Sequence, residues 1–281
     1  MSSQNPYQPP QSNVAMPPMP GQVDSLLPAP RSVGIGAAID WLSDGWRLFK
    51  RDFGMWLLID LIMIVLVAII AIVGGMVIAN LPTGIGTVIN ALFEIAMTVF
   101  ITLLTAGLFI GMHESYRGGA LDAGHLFAAM KQHLVPLVIL GVISAVLSIA
   151  LAWAFEALWQ APSAENMSQE ANPEAMGLMM QEMFSGRNLL IGFIYFMLSV
   201  LISLLLWFAQ PLVVLNNVSP MEALKLSLQG SLKNILALIL YTFISLLITF
   251  GGALLLLLGL LIVFPWLFCA SYISYRNIFL Q

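Results

Sequence analysis

Between Phe53 and Ala79 the only ionisable side chain is Asp60. A run of that length and apolarity is suited to the interior of a bilayer. Comparable runs cover about Thr87 to Met112, Leu134 to Trp159 and Leu189 to Leu212, and the longest extends from Ile235 to Tyr275. As one helix the last would reach about 60 Å at 1.5 Å per residue, twice the hydrocarbon thickness. It is therefore expected to be a hairpin that turns between Gly251 and Gly259. In hydrocarbon the backbone must bond to itself, and the runs lack the period-two alternation of barrel strands. The expected fold class is all-α integral membrane, with six transmembrane helices arranged as three hairpins. Composition agrees: 9% of the residues are charged, against about 25% in soluble domains.

Charge sets the expected orientation. Of the ten Lys and Arg residues, all but Arg187 fall on one side of this topology. By the positive-inside rule the basic loops and both termini are cytoplasmic, in a multi-pass bacterial inner-membrane protein. The loop Gln160–Asn188, with Glu165, Glu170, Glu174 and Glu182, is then external. Trp41, Trp46 and Trp56 fit an inner aromatic belt, and Trp153 and Trp159 an outer one. The net charge of −4 lies mostly in loops, and no nucleic-acid partner is expected. Cys269 is the sole cysteine, which excludes an internal disulfide and a cysteine metal cluster. No cleavable signal is read in the first thirty residues or so.

Residues 1–33 are rich in proline (Pro6, Pro9, Pro10, Pro17, Pro18, Pro20, Pro28, Pro30) among Gln, Asn and Ser. Such a segment buries too little apolar area to offset its ordering entropy, so it is expected to be a disordered cytoplasmic tail. Residues 34–281 form the transmembrane domain, with a Met- and Glu-rich external loop at 160–188.

Each expected hairpin follows a short cytoplasmic segment with an acid early and a base about ten residues later. The sets are Asp40 with Lys50 and Arg51, Asp122 with Lys131 and His133, and Glu222 with Lys233. That polarity complements the helix macrodipole. In the third copy Ser219 is expected to cap, Pro220 to open the helix and Glu222 to close a capping box. Leu224, Leu228 and Leu232, or Phe127, Met130 and Leu134, share a face. The three segments are read as interfacial helices, each feeding a hairpin.

Three motifs carry a family resemblance: Gly45-Trp46-Arg47-Leu48-Phe49-Lys50-Arg51, Ser219-Pro220-Met221-Glu222-Ala223-Leu224 and Ser274-Tyr275-Arg276-Asn277-Ile278-Phe279. Through them the chain resembles the uncharacterised multi-pass inner-membrane proteins of proteobacteria, including the YciC-like proteins and Pro-tailed hypothetical membrane proteins. The resemblance implies an inner-membrane location and a fold. It brings no activity and no residue roles.

Polar side chains inside the spans are the candidate site. Thr87, Asn90, Glu94, Thr98, Thr102 and Thr105 recur at helical spacing along one stripe of the second span. A carboxylate within a span is costly and marks a functional-site hypothesis. Asp60 and Glu94 would sit about 18 Å apart along the hairpin axis, too far to pair. They read either as stations on a solute path or as a packing seam, with Asp60 reaching Lys50 or Arg51. Ser144, Ser148 and Glu156, then Tyr195, Ser199 and Ser203, then Tyr241, Ser245 and Thr249 form shorter stripes. Small hydroxylic residues there chiefly let helices approach and bond.

In the external loop Met176, Met179, Met180 and Met183 share a helical face. Thioethers bind cuprous ion, and the same spacing also makes an amphipathic helix lying on a leaflet. His113-Glu114 does not begin a zinc HExxH motif because Arg117 stands where the second His would be. No phosphate loop, nucleophile elbow or nucleotide fingerprint is found, so no catalytic residue and no cofactor is expected. The expected function is non-enzymatic: a membrane scaffold or envelope-maintenance factor. It would engage the bilayer, and protein partners through the interfacial helices or the tail. The alternative is a channel or transporter for a small solute or ion along Asp60, Asn90, Glu94, Thr98, Thr102 and Thr105.

Overall fold

The computed structural model describes residues 24–159, 177, 180, 181, 183–254 and 258–281. Helices α1 (Ala37–Arg51), α2 (Phe53–Ala79) and α3 (Thr83–Tyr116) come first. A 3-10 turn (Ala123–Phe127) leads into α4 (Ala128–Gln132) and α5 (Leu134–Leu158). After the undescribed loop come α6 (Gly186–Leu206), α7 (Ala209–Asn216), α8 (Pro220–Lys233), α9 (Ile235–Leu254) and α10 (Leu260–Phe279). No strand forms among the described residues; one isolated antiparallel bridge joins Leu26 to Leu280.

Five stretches are long and apolar enough to cross a membrane: α2, α3, α5, the α6–α7 unit and α9. They mark the chain as a multi-pass membrane protein. α10 is not among them, because Ser271, Tyr272, Ser274, Tyr275, Arg276 and Asn277 stud its second half. That half is the hub of the bundle: Tyr272, Tyr275, Ile278 and Phe279 are all fully buried. α9 stops at Leu254 and α10 starts at Leu260, within the expected turn region. Gly252 and Gly259 meet there, so closely that a Cβ on Gly259 would lie 2.5 Å from the Gly252 carbonyl oxygen.

Burial is concentrated at one end, here called the basic end, where Arg51, Arg117, Lys233 and Arg276 gather around the hub. α1 crosses α10 at Gly45, where an added Cβ would lie 2.6 Å from Ala270 Cα. Its apolar face, Trp41, Leu42, Leu48 and Phe49, is buried in protein. The interfacial helix expected here therefore spends that face on α10 instead of lipid. Trp41 and Trp56 are likewise core residues, at 1% and 2% exposure, and not belt residues. Their amphipathic rings suit either setting, and Trp41 Nε1 finds its partner in Asn277 Oδ1 at 3.1 Å.

The second segment is short because it turns against α3. A Cβ on Gly107 would lie 2.2 Å from the His125 carbonyl oxygen. A capping box closes here: Gly124 N–H donates to Asp122 Oδ1 at 2.7 Å, and Asp122 N–H to His125 Nδ1 at 3.0 Å. In the third segment Ser219 stands at the N-cap and Pro220 at the first position of α8 as expected, but the Ser219 side chain makes no capping bond. The buried face of α8 is Ala223, Leu224, Ser227, Gly230 and Ser231, while Leu232 is exposed.

The tail expectation divides at residue 24. Residues 1–23 lie outside the described residues, whereas residues 24–33 are a strap held on the hub. Leu27 N–H donates to the Phe279 carbonyl at 2.8 Å and Arg31 N–H to that of Ile278 at 2.9 Å.

Candidate functional site

Pro211 lacks an amide proton, and its ring excludes the carbonyl four residues back, that of Trp207. The fourth span accordingly breaks there, between α6 and α7. Ser227 of α8 repairs the break: Phe208 N–H donates to its hydroxyl at 2.9 Å, and the hydroxyl donates to the Leu204 carbonyl at 3.0 Å. Ser231 donates to the same carbonyl at 3.0 Å. The span expected to run from Leu189 to Leu212 is thus two helices. Pro265, by contrast, lies inside continuous α10, and Pro136 lies in the first turn of α5, where no amide proton is needed.

Beside the break is a cavity of about 360 Å³. Its walls are Trp56 and Met63 of α2, Trp207, Tyr241 of α9, and Phe264 and Phe268 of α10; Asp60 is its only charged lining residue. Asp60 has no hydrogen bond or ion pair among the described residues. The expected reach to Lys50 or Arg51 is not made. Arg51 donates to the Gly119 carbonyl, and Lys50 Nζ lies 5.7 Å from the Trp46 ring centroid. Thr105 also lines the cavity, with its hydroxyl 2.8 Å from the Ile101 carbonyl and 2.9 Å from Gln210 Oε1. The hydroxyl's one proton is therefore engaged inside the bundle.

The other stripe residues lie elsewhere. Thr102 is buried against α5, where a Cβ on Gly141 would come 3.4 Å from its hydroxyl. Thr98 is half-buried, and Thr87 donates back to the Thr83 carbonyl at 2.9 Å. Asn90 donates to Glu94 Oε1 at 2.9 Å on an exposed face. Asp60 and Thr105 meet at the cavity and Glu94 does not. Of the methionine face, Met180 and Met183 are exposed, and Met176 and Met179 lie outside the described residues. No group of three or more His, Cys, Asp or Glu side chains suited to a metal ion occurs among the described residues.

A second polar cluster, which sequence reasoning passed over, holds the strap. Arg276 grips Asp24 with two bonds of 2.5 and 2.9 Å. That pairing keeps the Asp24 carboxyl below the usual carboxylate range. Arg276 also stacks on Tyr116, its guanidinium carbon 4.0 Å from the ring centroid. Buried Asn234 accepts from Val33 N–H at 2.7 Å and donates to the Arg31 carbonyl at 3.0 Å. Lys233 donates to the Pro30 carbonyl at 2.8 Å. Asp24 is the only acid before Asp40, and that isolation was the available signal.

Together the helices and the two clusters define an all-helical membrane protein with a clamped N-terminal strap and an aromatic cavity. No family model, curated protein or solved structure matches the chain.

Proposed function

We propose that the protein is a non-enzymatic scaffold of the bacterial inner membrane, with α10 as a sixth crossing and the basic end in the cytoplasm. The charge asymmetry supports that orientation, and the resemblance to YciC-like inner-membrane proteins supports the location. The observation that carries the scaffold reading is the strap. Asp24, Pro30, Arg31 and Val33 are tied to Arg276, Lys233, Leu280 and Asn234. The Pro-rich segment 1–23 thereby joins the protein at Asp24, a point fixed on Arg276 of α10. A tethered segment engages a partner at high effective concentration. The stripe on α3 acts as a seam along Thr102 and Thr105, and as an outward-facing Asn90–Glu94 pair beyond it.

The test is recovery of the intact protein in native lipid discs, followed by mass spectrometry of what accompanies it. Specific enrichment of a lipid or protein, lost on deletion of residues 1–23 or on Arg276→Gln, is expected. Recovery of neither would remove the proposal. Placing cysteines at Thr98 and Thr102 in a Cys269→Ser background checks the seam. Rapid labelling there by a membrane-impermeant thiol reagent would favour a solute path.

A further inference from the structure

We infer that the cavity beside Asp60 binds a small organic ammonium ion carrying an aromatic or similarly apolar group. Three observations converge on one class of ligand. The first is the carboxylate. Asp60 is half-buried within a span and has no partner among the described residues, and an ionised carboxylate at such depth calls for a counter-charge. The partners expected from the sequence, Lys50 and Arg51, are turned to Trp46 and Gly119.

The second observation is the wall. Trp56, Trp207, Tyr241, Phe264 and Phe268 line the same space, which is open on one side. The faces of aromatic rings attract cations, best when desolvated, and rings arranged as a cage suit alkylated ammonium groups. A volume of about 360 Å³ falls in the range of small-molecule pockets. A metal ion is a poor match, because a hard cation needs six or so oxygen ligands. The cavity supplies one carboxylate and three hydroxyls already committed: Thr105 within the bundle, Ser271 to the Phe268 carbonyl at 2.7 Å and Tyr241 to the Leu267 carbonyl at 2.8 Å. A bound proton alone would need no cavity.

The third is the helix break. Trp207, which lines the cavity, stands where α6 gives way to α7. The broken helix beside the charged group also resembles the way membrane proteins build solute sites from interrupted spans.

The probe is choline phenyl ether, compared with its uncharged carbon isostere (3,3-dimethylbutoxy)benzene. Binding to the full chain in lipid nanodiscs is read by quenching of tryptophan fluorescence and by calorimetry. The cation should bind at least about tenfold more tightly than the neutral isostere. Asp60→Asn should remove that preference and leave binding of the isostere unchanged, with an unaltered unfolding temperature as the folding control. Equal binding of cation and isostere by the unmodified protein, or no binding of either, would overturn the inference whether or not the variant folds. Undiminished preference in Asp60→Asn would overturn it equally.

Discussion

The two ends of the helix bundle are built on different principles. At the basic end α1, α3, α8 and α10 bury Trp41, Phe49, Leu104, Met112, Phe208 and Phe279 almost completely. Polar side chains tie these elements across long sequence separations, as in Arg276 to Asp24 and Trp266 to the Leu42 carbonyl at 2.8 Å. At the far end much of the same hydrophobic composition stays exposed among the described residues. Ile69, Ile72, Val73 and Met76 of α2 are exposed, as are Phe193 and Phe196 of α6. In water that surface would drive collapse, whereas in lipid it needs no protein partner. Apolarity therefore says only that a residue leaves water. Small residues and paired polar groups decide whether it packs on protein or on lipid.

The sharpest way to break that comparison is to add one carbon. Gly45→Ala and Gly107→Ala place a methyl group 2.6 Å from Ala270 Cα and 2.2 Å from the His125 carbonyl oxygen. The neighbouring backbone must move, so each should cost about 3 kcal/mol or more. Gly75 and Gly251 meet nothing within 4 Å. Alanine there should be neutral, or stabilising by up to about 1 kcal/mol through helix propensity. Thermal unfolding in detergent, read by size-exclusion chromatography, checks both pairs. Equal losses at the two ends would contradict the difference.

Next in size is the strap. Asp24→Asn or Arg276→Gln removes a charge-assisted pair and should cost about 1.5–3 kcal/mol. It should also expose Arg31 to trypsin, with cleavage well faster than in the unmodified protein. Smaller again is Ser227→Ala, which leaves Phe208 N–H unpaired at the helix break for about 1–2 kcal/mol. By contrast Ser203→Ala, on the exposed face of α6, removes only a bond back to the Ser199 carbonyl and should change stability by less than about 0.5 kcal/mol.

The smallest expected effect is that of pH on the strap. Arg276 lowers the Asp24 carboxyl below its ordinary value of 3.8. Its contribution is thus complete above that value and is lost as pH falls through the lower folded-state value. Protection of Arg31 from an acid-active protease should fade only in that acidic window, and Asp24→Asn should abolish the pH dependence.

What was legible in the sequence follows from how local the cause is. The turn before α10 follows from glycines within an apolar run too long for one crossing, a property of consecutive residues, whereas Pro136, Pro211 and Pro265 could each break a helix and only Pro211 does. The strap depends on Asp24 meeting Arg276 and on Asn234 meeting Arg31 and Val33, pairings that no periodicity encodes. Trp41 and Trp56 misled because a tryptophan before a span reads alike whether it meets headgroups or the core. The capping box appeared at Asp122, where His125 replaces the usual Glu or Gln, and not at Ser219, where the pattern was stronger. For the site, helical spacing placed Thr87 to Thr105 on one stripe. It did not reveal that Thr105 joins Asp60 at a cavity while Asn90 and Glu94 bond to each other.

The most direct measurement is photolabelling in nanodiscs containing a phospholipid with a diazirine in its acyl chain, with adducts located by mass spectrometry. The expected result is dense labelling at Ile69, Ile72, Val73, Met76, Phe193 and Phe196, and none at Trp41, Phe49, Leu104 or Phe279. Comparable labelling of both sets, or a far end as silent as the basic end, would contradict the division between a protein-packed core and a lipid-facing bundle.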